Sequence, residues 1–196
     1  MKRKKKLPDL AREEPYTYDE YAELEDDGNR YELVDGRLEL MTSPLTEHQL
    51  ISAELQRALY DTCGDQYVIL NAPIDLILSE YEVRQPDLIL IRRERFHEVV
   101  GRRGIAGIPD VVAEILSPSM RKRDKRDKLI KYARYGIPEY WVIDPDSKSL
   151  EQYVLAGDRY DIVDVCEGEE RIVSPNASCA NFAIGELMAR IPEIPA

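Results

Sequence analysis

No stretch of the 196-residue chain approaches the roughly 18 consecutive apolar residues of a membrane-spanning helix, so no helical membrane span is expected. The opening segment MKRKKKLPDLAREEP is basic, but it lacks the apolar stretch that a secretory signal requires. Cysteine is scarce: Cys63, Cys166 and Cys179 have no metal-ligand spacing, and an odd count without a framework predicts a reducing, cytoplasmic setting. With no evident Cys pair and only His48 and His97 as imidazoles, a structural zinc site is not expected. A hard cation held by oxygen fits this composition better. Internal repeats and compositional breaks are also lacking. The expected organisation is a disordered basic tail over residues 1–14 and one domain over 15–196.

Charge is abundant and uneven. The net charge of −11 argues against a simple nucleic-acid coat, yet residues 2–6 are all Lys or Arg, and residues 120–134 hold eight Lys or Arg against two Asp. An acidic body with one basic helix can meet a phosphate backbone locally, or the helix can simply be solvated by its charge. Hydrophobic residues make up 43% of the chain, enough for a real core.

The apolar periodicity supplies the elements. TYDEYAELEDDG predicts a helix with Thr17 as N-cap, Glu20 closing a capping box and Gly28 as the stop. RYELVDGRLELM predicts a hairpin turning at Asp35-Gly36, with Glu32 and Val34 on one face. TEHQLISAELQRALYDTCG is an amphipathic helix with a stripe of Leu50, Ile51, Leu55, Ala58 and Leu59, and His48 lies in its first turn. QYVIL, PIDLILS, VRQPDLILIRR and PDVVAEILS are strands. Asp110 belongs to the turn before the last, and ERFHEVVGRRGIAG is a loop or short helix between the last two. A charged helix at about 122–136 joins the strand at 111–116 to one at 139–144, the pattern of a crossover unit. Further strands follow, and FAIGELMARI ends the chain as a short helix. The fold class is α+β, in an α/β/α-like arrangement: a mixed central sheet flanked by helices.

Two of these strands carry an acid in an apolar context: Asp87 in QPDLILI and Glu114 in VVAEIL. An isolated ionised carboxylate is costly to bury, so each needs a partner. Either an Arg pairs with each, or the two share a divalent cation able to polarise a phosphoryl oxygen or activate a water. On the wheel of the following helix, Arg126, Leu129, Ile130 and Ala133 form the side expected to pack on the sheet. Asp127, Lys131 and Arg134 form the solvent side, and Asp124, Lys128, Tyr132 and Tyr135 a third face. Lys128 can reach back towards the acids, with Asp124 orienting it. Ser117 and Ser119 read as helix caps, and Tyr140 and Trp141 as packing residues.

These residues, in the segments YELVDGRLELM, TEHQLISAELQRAL, VRQPDLILI and IPDVVAEILSPSMRKRDKRDKLIKYARYGIPEYWVIDP, resemble the Uma family of the PD-(D/E)xK restriction-endonuclease-like superfamily. The resemblance spans about residues 17–155, and its most specific part is the long final segment. It implies a DNA endonuclease that uses Mg2+ or Mn2+ held by Asp87 and Glu114, with the carbonyl of Ile115 and the carboxylate of Glu32 as further ligands. A regular member of the superfamily carries Lys two residues after the Glu, where this chain has Leu116. The resemblance implies that Lys128 replaces it and that His48 contacts phosphate or assists proton transfer. The basic helix and the Arg92–Arg103 loop would guide the DNA strand, and a homodimer would suit cleavage of both strands. Two rival readings are a nonhydrolytic nucleic-acid-binding or assembly module on the same fold and a glycosidase-type acid pair, which leaves Lys128 unexplained.

Overall fold

The computed structural model describes residues 7–117 and 123–194, apart from the side chains of Arg123 and Asp124. The basic run at 2–6, the cap at Ser119 and the orienting role of Asp124 therefore lie outside the described residues.

Thr17 caps α1 (Tyr18–Tyr21), and the predicted capping box is present: Thr17 Oγ1 accepts from the Glu20 N–H at 3.3 Å, and the Glu20 carboxylate accepts from the Thr17 N–H at 3.1 Å. The helix ends at Ala22 rather than running to Gly28. The acidic run Glu23, Glu25, Asp26 and Asp27 would sit at its C-terminal end, where the helix dipole disfavours negative charge. Within the segment expected as a tail, Arg12 lies 4.4 Å from the centre of the Tyr16 ring and pairs with Glu20 at 2.9 Å.

β1 (Arg30–Val34) and β2 (Arg37–Met41) form the predicted hairpin, with Asp35 at φ 49° and Gly36 at φ 76°, the left-handed pair that an Asp-Gly turn supplies. α2 (Thr46–Cys63), β3 (Tyr67–Asn71), β4 (Leu76–Ser79), β5 (Glu82–Arg84) and β6 (Leu88–Arg92) follow. A 3-10 turn at Arg93–Arg95 runs into α3 (Phe96–Val99). The chain continues through β7 (Val111–Ile115), α4 (Arg123–Arg134), β8 (Glu139–Asp144), β9 (Ser149–Ala156), β10 (Arg159–Glu167) and α5 (Ile184–Met188).

These strands make two sheets where the sequence predicts one. The six-stranded sheet has the order β10-β9-β8-β7-β6-β3 and is mixed; β7 and β8 are its parallel pair, joined by the expected crossover through α4. The four-stranded sheet has the order β2-β1-β5-β4 and covers a small core of Tyr16, Leu33, Leu38 and Val83. The break falls at Gln85-Pro86, between β5 and β6, where proline cannot donate to a ladder.

Period-two alternation assigns the faces of the large sheet. Leu88, Leu90, Val111, Ala113 and Ile115 pack against Ile51, Leu55 and Leu59 of α2. Ile89, Ile91, Val112, Tyr140 and Val142 pack on the other side, with Tyr132 of α4. Glu114, in step with Val112, therefore faces α4. Tyr140 and Trp141 are both fully buried, as expected of packing residues.

The wheel of α4 is turned relative to the sequence reading. Arg126 and Ile130 are exposed, Ile130 by 57%, while Lys128, Lys131, Tyr132 and Ala133 are buried. The cause is ionic: Lys131 meets Asp35 and lies 3.1 Å from Glu82, and Asp127 lies 2.7 Å from Arg84, so charged side chains rather than the isoleucine seat the helix. The cysteines also differ from expectation. Cys63, at the end of α2, is disulfide-bonded to Cys179, 116 residues away, and Cys166 is a buried free thiol. Such a long separation leaves no spacing to recognise.

This placement of α4 has a direct consequence for stability. Leu55→Ala, at a fully buried position, should lower the unfolding free energy by about 2–5 kcal/mol. Ile130→Ala should change it by less than about 0.5 kcal/mol. Urea titration of the two variants checks this, and a loss at Ile130 comparable to that at Leu55 would restore the sequence-derived wheel.

Candidate active site

β6 and β7 are antiparallel, with Leu88 opposite Ala113. Continuing that register by one step sets Asp87 opposite Glu114. The two acids that the sequence isolates thus meet at one end of the six-stranded sheet, at the mouth of a cleft of about 650 Å³. The small sheet contributes Glu32 and Glu39 to the walls, the start of α2 contributes His48, and α4 contributes Lys125 and Lys128.

Each acid is held differently. Asp87 Oδ2 accepts from the Ile115 N–H at 2.8 Å and lies 3.1 Å from His48 Nε2. Glu114 Oε1 accepts from the Tyr132 hydroxyl at 2.7 Å and pairs with Lys128 Nζ at 2.9 Å. Among the described residues, no hydrogen bond engages the second oxygen of either carboxylate, Asp87 Oδ1 or Glu114 Oε2. The proposed lysine thus does reach from the helix to the strand, and the residue two after Glu114, Leu116, joins the apolar cluster instead.

Glu32 lies in the same cleft, but both its oxygens are engaged: Oε1 accepts from the Gln85 N–H at 2.7 Å, and Oε2 lies 3.3 Å from Arg84 Nη1. Arg84 is the side chain that sequence reasoning missed. It is 1% exposed and also pairs with Glu82 and Asp127, both at 2.7 Å. Its signal was available, since Glu82 and Arg84 alternate in a short strand and must share a face.

The Arg92–Arg103 loop, expected to guide a nucleic-acid strand, begins at the other end of β6. There Arg92 and Arg95 are tied to Asp110, Arg95 Nη1 at 2.7 Å, and Arg93 donates to the Gly64 carbonyl at 2.7 Å. Residues 88–91 of β6 separate these arginines from Asp87, and none of the three lines the cleft.

Electrostatics follow from burial. Desolvation pushes the Glu114 carboxyl up to about 7; Lys128 opposes this, and the neighbouring charges of Asp87 and Glu32 add to it. For His48, burial works against the imidazolium, but the hydrogen bond and charge of Asp87, with Glu114 behind it, prevail and raise its pKa above 6.5. Among the described residues, His48 Nδ1 is buried without a hydrogen-bond partner.

The geometry is thus an acid-bearing pair of strand ends on a mixed sheet of an α+β fold, answered by a lysine. The chain belongs to the Uma2 family, described as "Putative restriction endonuclease", whose model matches residues 18–183. The fold is shared with a solved structure from Anabaena variabilis ATCC 29413, described as "a putative nuclease belonging to DUF820". The match has a TM-score of 0.72 at 20% identity and covers 89% of this chain and 98% of that one. No curated protein matches the chain.

The His48–Asp87 contact is directly measurable. The folded state holds the His48 proton more tightly than the unfolded chain does. Its contribution to stability is therefore complete below pH 6.5 and is lost as pH rises through the folded value. NMR titration of the two imidazoles should show His48 titrating above 6.5 and moving down in Asp87→Asn. An unmoved titration would mean that the contact does not form in solution.

Proposed function

We propose that this protein is a divalent-cation-dependent endonuclease that hydrolyses phosphodiester bonds in DNA. The observation that carries this reading is the convergence of Asp87 and Glu114 at adjacent strand ends, with Lys128 brought to Glu114 by the crossover helix.

The donor set fits Mg2+ or Mn2+. Both acids line the cleft and keep an oxygen that no described residue engages, and Ile115, whose carbonyl is a candidate third donor, lines it too. Among the described residues no three His, Cys, Asp or Glu side chains group to hold a metal. The cation would therefore rest on one or two carboxylates and leave its other positions to water and phosphate oxygen. Glu32, bound by Arg84 and the Gln85 N–H, shapes the cleft's field, and each of its oxygens has one described partner, which leaves a lone pair for a cation. The cation would supply Lewis acidity towards a phosphoryl oxygen and a more acidic water.

The remaining work falls to the chain. Four acids line the cleft, so a phosphodiester anion is repelled until positive charge balances them. Lys128 supplies part of that charge at a fixed position, where it can orient the attacking water or stabilise charge on the pentavalent phosphate. His48 donates from Nε2 to Asp87 and fixes its carboxylate, and its positive character favours phosphate nearby. DNA meets the protein through this cleft and the basic start of α4. A two-fold homodimer is the simplest way to cut both strands.

Two measurements test this reading. Nicking of supercoiled plasmid should require Mg2+ or Mn2+ and stop with EDTA or in Glu114→Gln, and Lys128→Met should lower kcat by about 10²–10³-fold. Cleavage by Glu114→Gln at the wild-type rate would remove Glu114 from the mechanism. Salt-sensitive DNA binding without product at any metal concentration would instead identify a silent binding module. Separately, Glu114 must release its proton to accept a cation. Apparent Mn2+ affinity should therefore rise by roughly tenfold per pH unit below about 7 and level off above it. Calorimetry across pH checks this slope, which Glu114→Gln should flatten.

A further inference from the structure

Four buried or paired positions of α4 share one band. At 100° per residue, the order around the helix is Asp127, Lys131, Lys128, Tyr132. The first two face the small sheet: Asp127 Oδ2 lies 2.7 Å from Arg84 Nη2, and Lys131 Nζ lies 3.1 Å from Glu82 Oε2 and also meets Asp35 at the hairpin turn. The last two face the large sheet, and both end on Glu114 Oε1. The helix therefore straddles the two sheets, and the catalytic contact occupies only half of its inner band.

We propose that the pairs Arg84–Asp127 and Glu82–Lys131 form a two-point clamp that sets the rotation and axial position of α4 and thereby holds Lys128 on Glu114. The inference rests on the role given to Lys128 above.

Three observations carry it. Asp127 and Lys131 flank Lys128 within a single turn, so a rotation that broke their contacts would swing Lys128 by the same angle. The charges run in the same order in sequence, minus then plus on the helix and minus at Glu82 then plus at Arg84 on β5, so the pairing is crossed. A one-turn slip would set Lys131 against Arg84, like charge on like, so the clamp selects one register. Arg84 and Glu82 are also buried and bonded to each other at 2.7 Å, which makes the β5 side of the clamp rigid. Burial works against the Arg84 guanidinium, yet Glu32 and Glu82 raise its pKa further still, so it stays charged. Arg84 is accordingly a positioning residue: it touches no reacting atom and acts through Asp127 and Glu32.

The test uses the full chain without metal. Lysine acylation read by mass spectrometry reports the reactivity of Lys128 against exposed Lys148. Arg84→Met takes one cationic partner from buried Glu82 and leaves it Lys131; should it fail to fold, Asp127→Asn carries the test, because that side chain is 41% exposed and its loss is tolerable. Asp127→Asn should raise Lys128 labelling severalfold and lower kcat for plasmid nicking by about 10²-fold with KM little changed. Asp127→Glu should recover part of both. Asp61→Asn, an exposed surface-pair variant on α2, should change neither. Unchanged Lys128 labelling in Asp127→Asn overturns the clamp, even if melting temperature falls. If the wild type cuts no DNA, labelling alone decides: increased labelling keeps the clamp while the nuclease reading fails.

Discussion

A carboxylate one residue from the end of a buried strand constrains everything around it. Glu114 is 5% exposed, and an unaided ionised group at such a position costs several kcal/mol. Lys128 and Tyr132 answer that cost on one oxygen, and among the described residues no hydrogen bond engages the other. Their help is incomplete, because desolvation and the facing charges of Asp87 and Glu32 still hold the acid up to about 7. The pair opposite is arranged otherwise: Asp87 is secured by a backbone N–H and an imidazole. Two acids in one register step thus differ in what holds them, and burial brings the Glu114 carboxyl to where it exchanges a proton near neutral pH.

The second sheet matters for the same reason. A lysine placed on a helix can reach a strand acid only if the helix is held at a fixed depth, and apolar packing alone is permissive about rotation. Here the small sheet supplies charge at fixed points. Arg84 and Glu82 on β5 receive Asp127 and Lys131, while Arg84 also holds Glu32. The hairpin turn joins through Asp35, whose carboxyl is lowered chiefly by its hydrogen bond to Lys131. Buried networks of this kind contribute less to net stability than their geometry suggests, because desolvation opposes them. Their effect here is on register.

Much of the site was legible because its residues violate local expectation. Asp87 and Glu114 stand out in apolar strands, and the crossover spacing brings the next helix back to the same sheet. Asp35-Gly36 announced its hairpin and Thr17 its cap. What stayed hidden depended on long-range ion pairs. The wheel of α4 treated Ile130 as a core residue and Lys131 as a solvent one, since periodicity weighs apolarity and cannot see that Glu82 and Asp35 await a cation. The split into two sheets rests on one proline, and the Cys63–Cys179 link spans 116 residues. Arg84 could have been found only by asking which buried acid needs an arginine and which arginine lies on a buried face.

The position of Leu116 completes the physical case for a relocated lysine. Residue 116 is two beyond Glu114 and shares its face in an extended chain. It packs in the apolar cluster beneath α4 with Leu129, and its N–H bonds to the Ile143 carbonyl. A lysine at 116 would lose that packing and bring a second ammonium towards the oxygen that Lys128 already occupies. Two cations crowded on one buried carboxylate repel each other, so the two positions are alternatives rather than additions. Moving the charge to the helix frees the strand position for core packing and transfers control of the lysine to whatever fixes the helix. With both groups on the strand, the acid and the lysine would share one rigid backbone. Here they sit on separate elements, and the distance between them is as dependable as the contacts that α4 makes with β5.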